Sequence, residues 1–537
     1  MPQFSIITPV YNPPREAFEL CVHSVMAQTN PDWEWCLAND ASPDSWVAQR
    51  LAELQTAEPR IRVMTRSSNG GIVAASNDAI AMSSGEFLVL LDNDDELHHE
   101  AMQLVADALR VNPECDYLYS DENKISPDGE HFDDFAKPTW SPERLLAQNY
   151  TSHLSVLRRS IVERVGRFRA GFDGSQDYDL ILRVIEQARA VVHVPRVLYH
   201  WRSLPTSTAS AASAKPYAFI AALKAVREHL DRVGVGADVS EAGPSLARIR
   251  RTTTRHPPLT VIVPVAPEPR RVFGVETNLG NHVAHSLLEK TTYNNYSVVF
   301  VGDDRTSGEQ LTALAAPFEG RATIAHASER LSLPQSMNRG LLTCNTSMAV
   351  FVDQHCEFTD GDWIEKLLSY AVRQATAMVA PLLVDEFGHI LSAGLGVTPE
   401  PHEIAQGRHS VEYGPVGMFS IARECFGVST RCALVDAVAV KRVGGFSAEY
   451  NSRWCDFDLA CKLHNIGKHA IITPLAHVRC FDDPLNHSAD QERFEQRWGR
   501  FVGNDPYTRI DTRSRPPTVS AQPSDAAQPL LSHLAPR

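Results

Sequence analysis

Long apolar runs are missing from this 537-residue chain; none approaches the roughly 18 residues that a membrane span requires. The longest candidates, Phe87–Leu91 and Met348–Val352, are bounded by acids and predict buried strands. The N-terminus, Met-Pro-Gln-Phe-Ser-Ile-Ile-Thr, has no basic stretch leading into an apolar one, so no secretory signal is expected. Ten cysteines are scattered without one CxxC pair, which argues against a disulfide framework and for reduced thiols in the cytoplasm. Positive charge is also scarce. With 51 Lys+Arg against 65 Asp+Glu the formal charge is −14, which excludes a general binder of nucleic acid or of anionic membrane. What is present is ordinary globular composition, 43% hydrophobic and 8% aromatic, enough for two to four domains at roughly 150 residues each.

The chain contains itself twice. Ser5–Val10 (SIITPV) returns as Thr260–Val265 (TVIVPV), and Asp40 has a counterpart near Asp303. Asn77 matches Asn338, Asp92 matches Asp353, and Val165–Phe168 matches Val443–Phe446. Asp177-Tyr-Asp179 matches Asp456-Phe-Asp458, and His200 is paired with His477. The ordered offsets run from 255 to 279 and define two copies of one domain. The expected division is 1–234 for the first domain, 235–258 for a linker rich in Gly, Pro, Ser and Arg, 259–511 for the second domain and 512–537 for a disordered tail.

Within the first copy, β-branched runs alternate with helical patterns. Strands are predicted at Phe4–Thr8, Trp33–Ala38, Arg62–Thr65 and Phe87–Leu91, with helices at Glu16–Gln28, Trp46–Thr56 and Gly71–Met82. Such alternation predicts an α/β fold with a mostly parallel, Rossmann-like sheet, whose ligands sit at the carboxyl ends of the strands. Polar residues gather there: Tyr11-Asn12, Asn39-Asp40, Arg66 and Asp92–Asp95.

Asp92-Asn-Asp94-Asp95 crowds carboxylates at a strand end, which a hard dication such as Mg²⁺ or Mn²⁺ would offset; a solvated acidic turn is the bland alternative. Asp40 reads equally well as a turn and helix-cap residue. Asp177 lies where a helix begins, favoured there by the dipole alone or acting as a general base. His200 suits a core histidine, a metal ligand or a phosphate contact, and Arg202 a phosphate partner. The apolar face of Pro216–Val233 fits packing between domains better than a membrane surface.

The ordered set ITPVYN, LANDAS, NGG…SNDA, LLDNDDEL, YSDENKI, GFDGSQDYDL and YHWR resembles the family 2 glycosyltransferases, inverting enzymes of the GT-A fold. In particular it resembles bacterial tandem-domain members that build O-antigens and other surface polysaccharides, often as rhamnosyltransferases. The resemblance implies two tandem GT-A-like domains. It implies a nucleotide-sugar donor (UDP-, dTDP- or GDP-linked), a glycan or lipid-linked glycan acceptor, Mn²⁺ or Mg²⁺, and peripheral association with the cytoplasmic membrane face or other assembly enzymes. By the same resemblance Pro9, Tyr11, Asp40, Arg66, Asn69, Asp92 and Asn93 bind the donor, and Asp92, Asp94 and His200 hold the metal. Asp177 is the base, while Asp121, Glu122, Lys124, Trp201 and Arg202 line the acceptor or phosphate side.

The second copy departs from this pattern. Gly302 stands where a carboxylate is expected, with Asp303 and Asp304 late, and Asp353-Gln-His355 replaces an Asp-x-Asp run. Asp353, His355, Asp456 and His477 survive as a possible second site, but the expectation is a degenerate domain. Asp353, His355, Cys356 and Glu357 match no common zinc spacing. The rival readings are a bifunctional enzyme and a non-catalytic glycan-binding scaffold. A nucleotidyltransferase would need a Gly-rich basic loop after the first strand, which PVYNPPREAF lacks.

Overall fold

The structure, a computed structural model, describes residues 2–203, 216–253, 256–371, 375–482, 489–510 and 512. The first copy is built on strands β1 (Phe4–Val10), β2 (Trp33–Asn39), β3 (Ile61–Thr65), β4 (Phe87–Leu90), β5 (Glu96–Leu97), β6 (Cys115–Ile125), β7 (His131–Phe135), β8 (Ser155–Arg158) and β9 (Ala190–Arg202). They order as β3-β2-β1-β4-β8-β6-β9-β5, with β7 beside β6. The pairs β1–β2, β2–β3, β1–β4 and β6–β9 are parallel, whereas β8 runs antiparallel between β4 and β6. The sheet is thus mixed, with its parallel half at the β1–β3 side.

Alternation along β1 explains why both faces are covered. Phe4, Ile6 and Val10 point to one core with Trp35 and Leu37, while Ile7 joins Ala79, Ile80 and Tyr117 on the other. Each fully buried isoleucine contributes roughly 1.5–3 kcal/mol. The helices observed at Arg15–Met26, Ser45–Ala57 and Gly71–Met82 follow the predicted periodicity to within a few residues.

The second sheet repeats the permutation strand for strand. Its order is 322–326, 296–302, 259–264, 348–352, 432–436, 376–384, 469–480, 356–358. The expected linker is instead a folded hairpin, Ala237–Gly243 against Leu246–Arg251. Its inner residues Val239, Ala247 and Ile249 pack with Val226 and Leu230 of helix Pro216–Arg232. That helix therefore packs within the first copy, against the hairpin and helix Gln176–Ile185, not between domains as expected. Its apolar stripe is Ala221, Ala225, Val226 and Leu230, while Val233 is exposed.

The hairpin also ties the copies together. Arg251 Nη2 donates to both Glu143 carboxylate oxygens, at 2.7 and 2.9 Å, and the Tyr370 hydroxyl donates to the Ile249 carbonyl at 2.9 Å. Glu424 of the second copy accepts from the Glu143 amide at 3.1 Å and from Ser141 Oγ. All ten cysteines are free and buried. Among the described residues no helix is long and apolar enough to cross a membrane. Apart from Thr512, the tail expected at 512–537 lies outside the described residues.

Candidate active site

The carboxyl ends of β1, β2 and β4 open on one edge, and the expected residues meet there. Asp40 follows β2 directly and is 2% exposed. Its Oδ1 and Oδ2 accept from the Gly70 and Gly71 amides, each at 2.8 Å, and Arg66 Nε lies 2.9 Å from Oδ1. The carboxylate therefore caps helix Gly71–Met82 and does not stand open to a base. A Cβ at Gly70 would sit 2.7 Å from the Arg66 guanidinium and 2.9 Å from Ala74, so only glycine fits beneath this cap. Asn69 Nδ2 donates to the Asp40 carbonyl at 3.3 Å, and Asn93 Nδ2 to the Pro9 carbonyl at 2.9 Å. Tyr11 is half exposed at the rim.

The acidic loop joins β4 to β5. Burial pushes the Asp92 carboxyl above the ordinary range, with the neighbouring Asp177 charge adding to it. Burial, then the Asp92 charge, raises Asp94 to about 6. No hydrogen-bond donor among the described residues reaches the side-chain oxygens of Asp92. Asp95 points the other way, accepting from Tyr199 Oη at 2.5 Å and the Arg202 amide at 2.7 Å.

Asp177 lies in the first turn of helix Gln176–Ile185. Ser152 Oγ and Asn149 Nδ2 both donate to its Oδ2, at 2.8 and 3.2 Å, which fixes the carboxylate and leaves Oδ1 with no protein donor among the described residues. Asp179, one face round, is buried against Arg169 and Arg183 and serves packing.

Strand alternation corrects the expectation for His200. Tyr199 and Trp201 face the acidic loop, so His200 between them faces away, its Nδ1 2.7 Å from Asn123 Oδ1 and its ring against His131 and His98. Burial, with the charges of those histidines, lowers it to about 4. The imidazole beside the acids is His153, which sequence reasoning missed. Its ring stacks on Tyr199 at 4.6 Å, lies 5.5 Å from Trp201, and puts Nδ1 3.3 Å from Glu122 Oε2. Burial opposes a charge on the ring, but the Glu122 hydrogen bond and the charges of Glu122, Asp92 and Asp95 raise it to about 9. The signal was available: the polar run Asn149–His153 directly precedes an apolar strand.

The expected acceptor residues are mostly engaged. Asp121 is buried against His193 Nε2 at 2.8 Å and Arg509 Nη1 at 2.6 Å, so it does not floor an open pocket. Glu122 holds His153 and lies 3.3 Å from Lys137 Nζ; burial would raise its carboxyl, but the Lys137 charge and His153 hold it below the usual range. Lys124 pairs with Asp133 at 2.5 Å. Arg202 Nε donates to the Asp94 carbonyl at 2.9 Å and its guanidinium pairs with Glu96, so it fixes the acidic loop and is not free for phosphate.

Register shows what became of this site in the second copy. Pro9 pairs with Ala38 and Pro264 with Val301, which makes Asp303 the counterpart of Asp40, directly after its strand and not one place late. Asp303 Oδ2 accepts from the Leu331 amide at 3.1 Å, as Asp40 does from Gly71. Leu90 pairs with Ser155 and Phe351 with Ala433, so Asp353 matches Asp92, His355 matches Asp94, Thr430 matches Ser152 and Arg431 matches His153. Glu96 pairs with His200 and Glu357 with Arg479, so Arg479, not His477, is the counterpart of His200. Pairing Asp456 with Asp177 puts Arg453 where the first copy has Gly174.

Arg453 binds Asp353 and lies 3.7 Å from Asp482, and Arg431 Nε donates to Asp482 at 2.7 Å. Asp353, His355 and Asp482 are close enough to share an ion. Two guanidinium groups nevertheless already offset their charge, and burial of Asp353 is outweighed by Arg453 and His355, which hold its carboxyl far below the usual range. Asp456 is 1% exposed, and Thr430 donates to both of its oxygens, at 3.0 Å from N and 2.5 Å from Oγ.

Two doubly covered sheets with an acidic loop, an oriented aspartate and a capped strand end repeated at equivalent positions define a tandem GT-A-like α/β protein. The profile of "Glycosyl transferase family 2" matches residues 5–166 and 274–444, more than half of the chain, and the protein belongs to that family. It is 30% identical over 93% of its length to the uncharacterised protein y4gI of Sinorhizobium fredii, covering 55% of that protein. It is also 30% identical over 88% of its length to the O-antigen biosynthesis protein RfbC of Myxococcus xanthus, covering 37% of it. The chain thus spans about half or less of the length of these relatives. Among solved structures, S. aureus TarS 1-349 in complex with UDP-GlcNAc aligns at a TM-score of 0.36 and 18% identity, over 42% of this chain and 66% of that one.

Proposed function

We propose that the first copy is a metal-dependent inverting transferase that moves a sugar from a UDP-, dTDP- or GDP-linked donor to a growing bacterial surface glycan. The second copy is non-catalytic. The observation that carries this reading is the convergence of Asp92, Asp94, His153 and an oriented Asp177 at the strand ends of the first sheet alone. The names of relatives such as RfbC supply the glycan context.

The donor set suits a hard dication: two neighbouring carboxylates that burial raises, with no protein donor to the Asp92 side-chain oxygens among the described residues. Asp92 and Asp94 would hold Mn²⁺ or Mg²⁺, which when bound stabilises the charge of a departing diphosphate. His153, held protonated by Glu122, adds a fixed positive charge beside them. Asp177, whose Oδ1 has no protein donor among the described residues, takes the proton of the acceptor hydroxyl as it attacks. Ser152 and Asn149 fix its orientation, so the base is preorganised before the acceptor arrives.

The test is transfer from a panel of nucleotide sugars to isolated glycan acceptors, with Mn²⁺ or with EDTA. Asp177→Asn should reduce the rate by about 10²-fold or more while donor binding persists. Equal rates with Mn²⁺ and with EDTA would remove the metal from the reading.

A further inference from the structure

The second copy reaches back into the first through residues 505–510. Asp505 anchors this segment on its own domain, where its carboxylate accepts from the amides of Val397, Tyr507 and Thr508 at 3.1, 2.8 and 2.9 Å. The chain then crosses to the first copy. The Pro506 carbonyl accepts from the Thr139 amide at 2.7 Å. Arg509 Nη1 donates to Asp121 Oδ2 at 2.6 Å and to the Lys137 carbonyl at 3.2 Å, and its Nη2 to the Pro195 carbonyl at 3.4 Å.

Those contacts lie one residue from the proposed site. Asp121 and Glu122 are consecutive on β6, and Lys137 bridges them: its amide donates to Asp121 Oδ1 at 2.9 Å, and its Nζ reaches Glu122, the Thr151 carbonyl at 3.4 Å and the His153 carbonyl. Glu122 in turn holds the His153 ring and amide beside the acidic loop. Two buried carboxylates are thus served by different cations: Glu122 faces Lys137 and the protonated His153, while Arg509 is the cation paired with Asp121. Burial lowers the His193 imidazole against the pull of Asp121. Without Arg509 the buried Asp121 carboxylate keeps the Lys137 amide and His193 but loses the guanidinium paired with it, a loss that a buried charge does not tolerate without movement.

We propose that Arg509, contributed by the second copy, is a positioning residue for the transfer site of the first, acting through Asp121, Lys137 and Glu122 on His153. The second copy would then be retained as a brace for the first. This inference rests on the functional reading above.

The experiment uses the full chain carrying Arg509→Gln, Arg509→Lys or the charge-balanced pair Arg509→Gln/Asp121→Asn. Arg509→Gln should lower kcat by about tenfold or more with donor KM within about twofold, and amide exchange at Lys137 and Thr139 should quicken. Arg509→Lys and the charge-balanced pair should each recover most of kcat. Wild-type kcat in Arg509→Gln would overturn the proposal, as would a folded double variant no more active than the single one. Should Arg509→Gln fail to fold, the double variant alone decides, active or inactive. A wild-type chain that transfers no sugar would sink the functional reading but not the brace. Unchanged exchange at Lys137 and Thr139 in Arg509→Gln would sink the brace itself.

Discussion

Asp177 and Asp456 occupy one place in two copies of a fold, and their surroundings give them opposite character. Ser152 donates to one oxygen of Asp177, whereas Thr430 donates through both amide and hydroxyl to the two oxygens of Asp456. One carboxylate keeps an oxygen for a proton; the other is buried and capped. The acid positions diverge in the same sense. His355 replaces one carboxylate, and Arg453 brings a guanidinium to the position of Gly174, so the second copy carries inside its own chain the positive charge that the first would take from a dication. Wild-type protein should therefore bind one Mn²⁺ per chain by calorimetry. Arg453→Gly/His355→Asp, which restores the acids and removes the guanidinium bound to Asp353, should bind two. A single site in that double variant would show that the guanidinium is not what closes the second copy to metal.

At the scale of elements, the hairpin Ala237–Arg251 does what a linker does not. One face completes the core under helix Pro216–Arg232, and the other carries Leu246 against Ala147 and Ile421, apolar contacts across the junction. Arg251 and Glu143 are nearly fully buried in that junction. Arg251→Ala removes the guanidinium paired with the buried Glu143 carboxylate and should cost about 3–5 kcal/mol in urea unfolding. Adding Glu143→Gln removes the buried negative charge and should recover part of the loss. Equal stability of wild type and Arg251→Ala would mean that the hairpin is held by its apolar faces alone.

For the whole molecule, two similar sheets with unequal sites fit the division of labour proposed above. Asp456→Asn should leave transfer within about twofold of wild type, while Asp177→Asn should nearly abolish it, since only the latter loses a free base. Product length must be read beside rate. If Asp456→Asn stops elongation after one sugar while donor turnover continues, both copies catalyse.

The amino-acid sequence by itself determined the repeat, the strand and helix alternation of each copy, and the acidic run after the fourth strand. These are local signals: apolar periodicity and turn residues act within a few positions of one another, so Gly71–Met82 is legible from its own twelve residues. It also placed Asp92 and Asp94 with Asp40, because strand ends of one sheet share an edge, and the family resemblance added Asp177 from the start of a helix. Only the tertiary structure decided which neighbours face them. Whether His200 or Tyr199 looks at the acids depends on a one-residue register across β5 and β9, which no local pattern encodes. His153 becomes a charged partner only because Glu122, from another strand, meets it, and Arg453 enters the second site only through its contact with Asp353, 100 residues earlier. Arg509 finds Asp121 across 388 residues. Such pairings form where buried charges need partners, and the choice of partner is made by packing two domains, not by the chain around either residue.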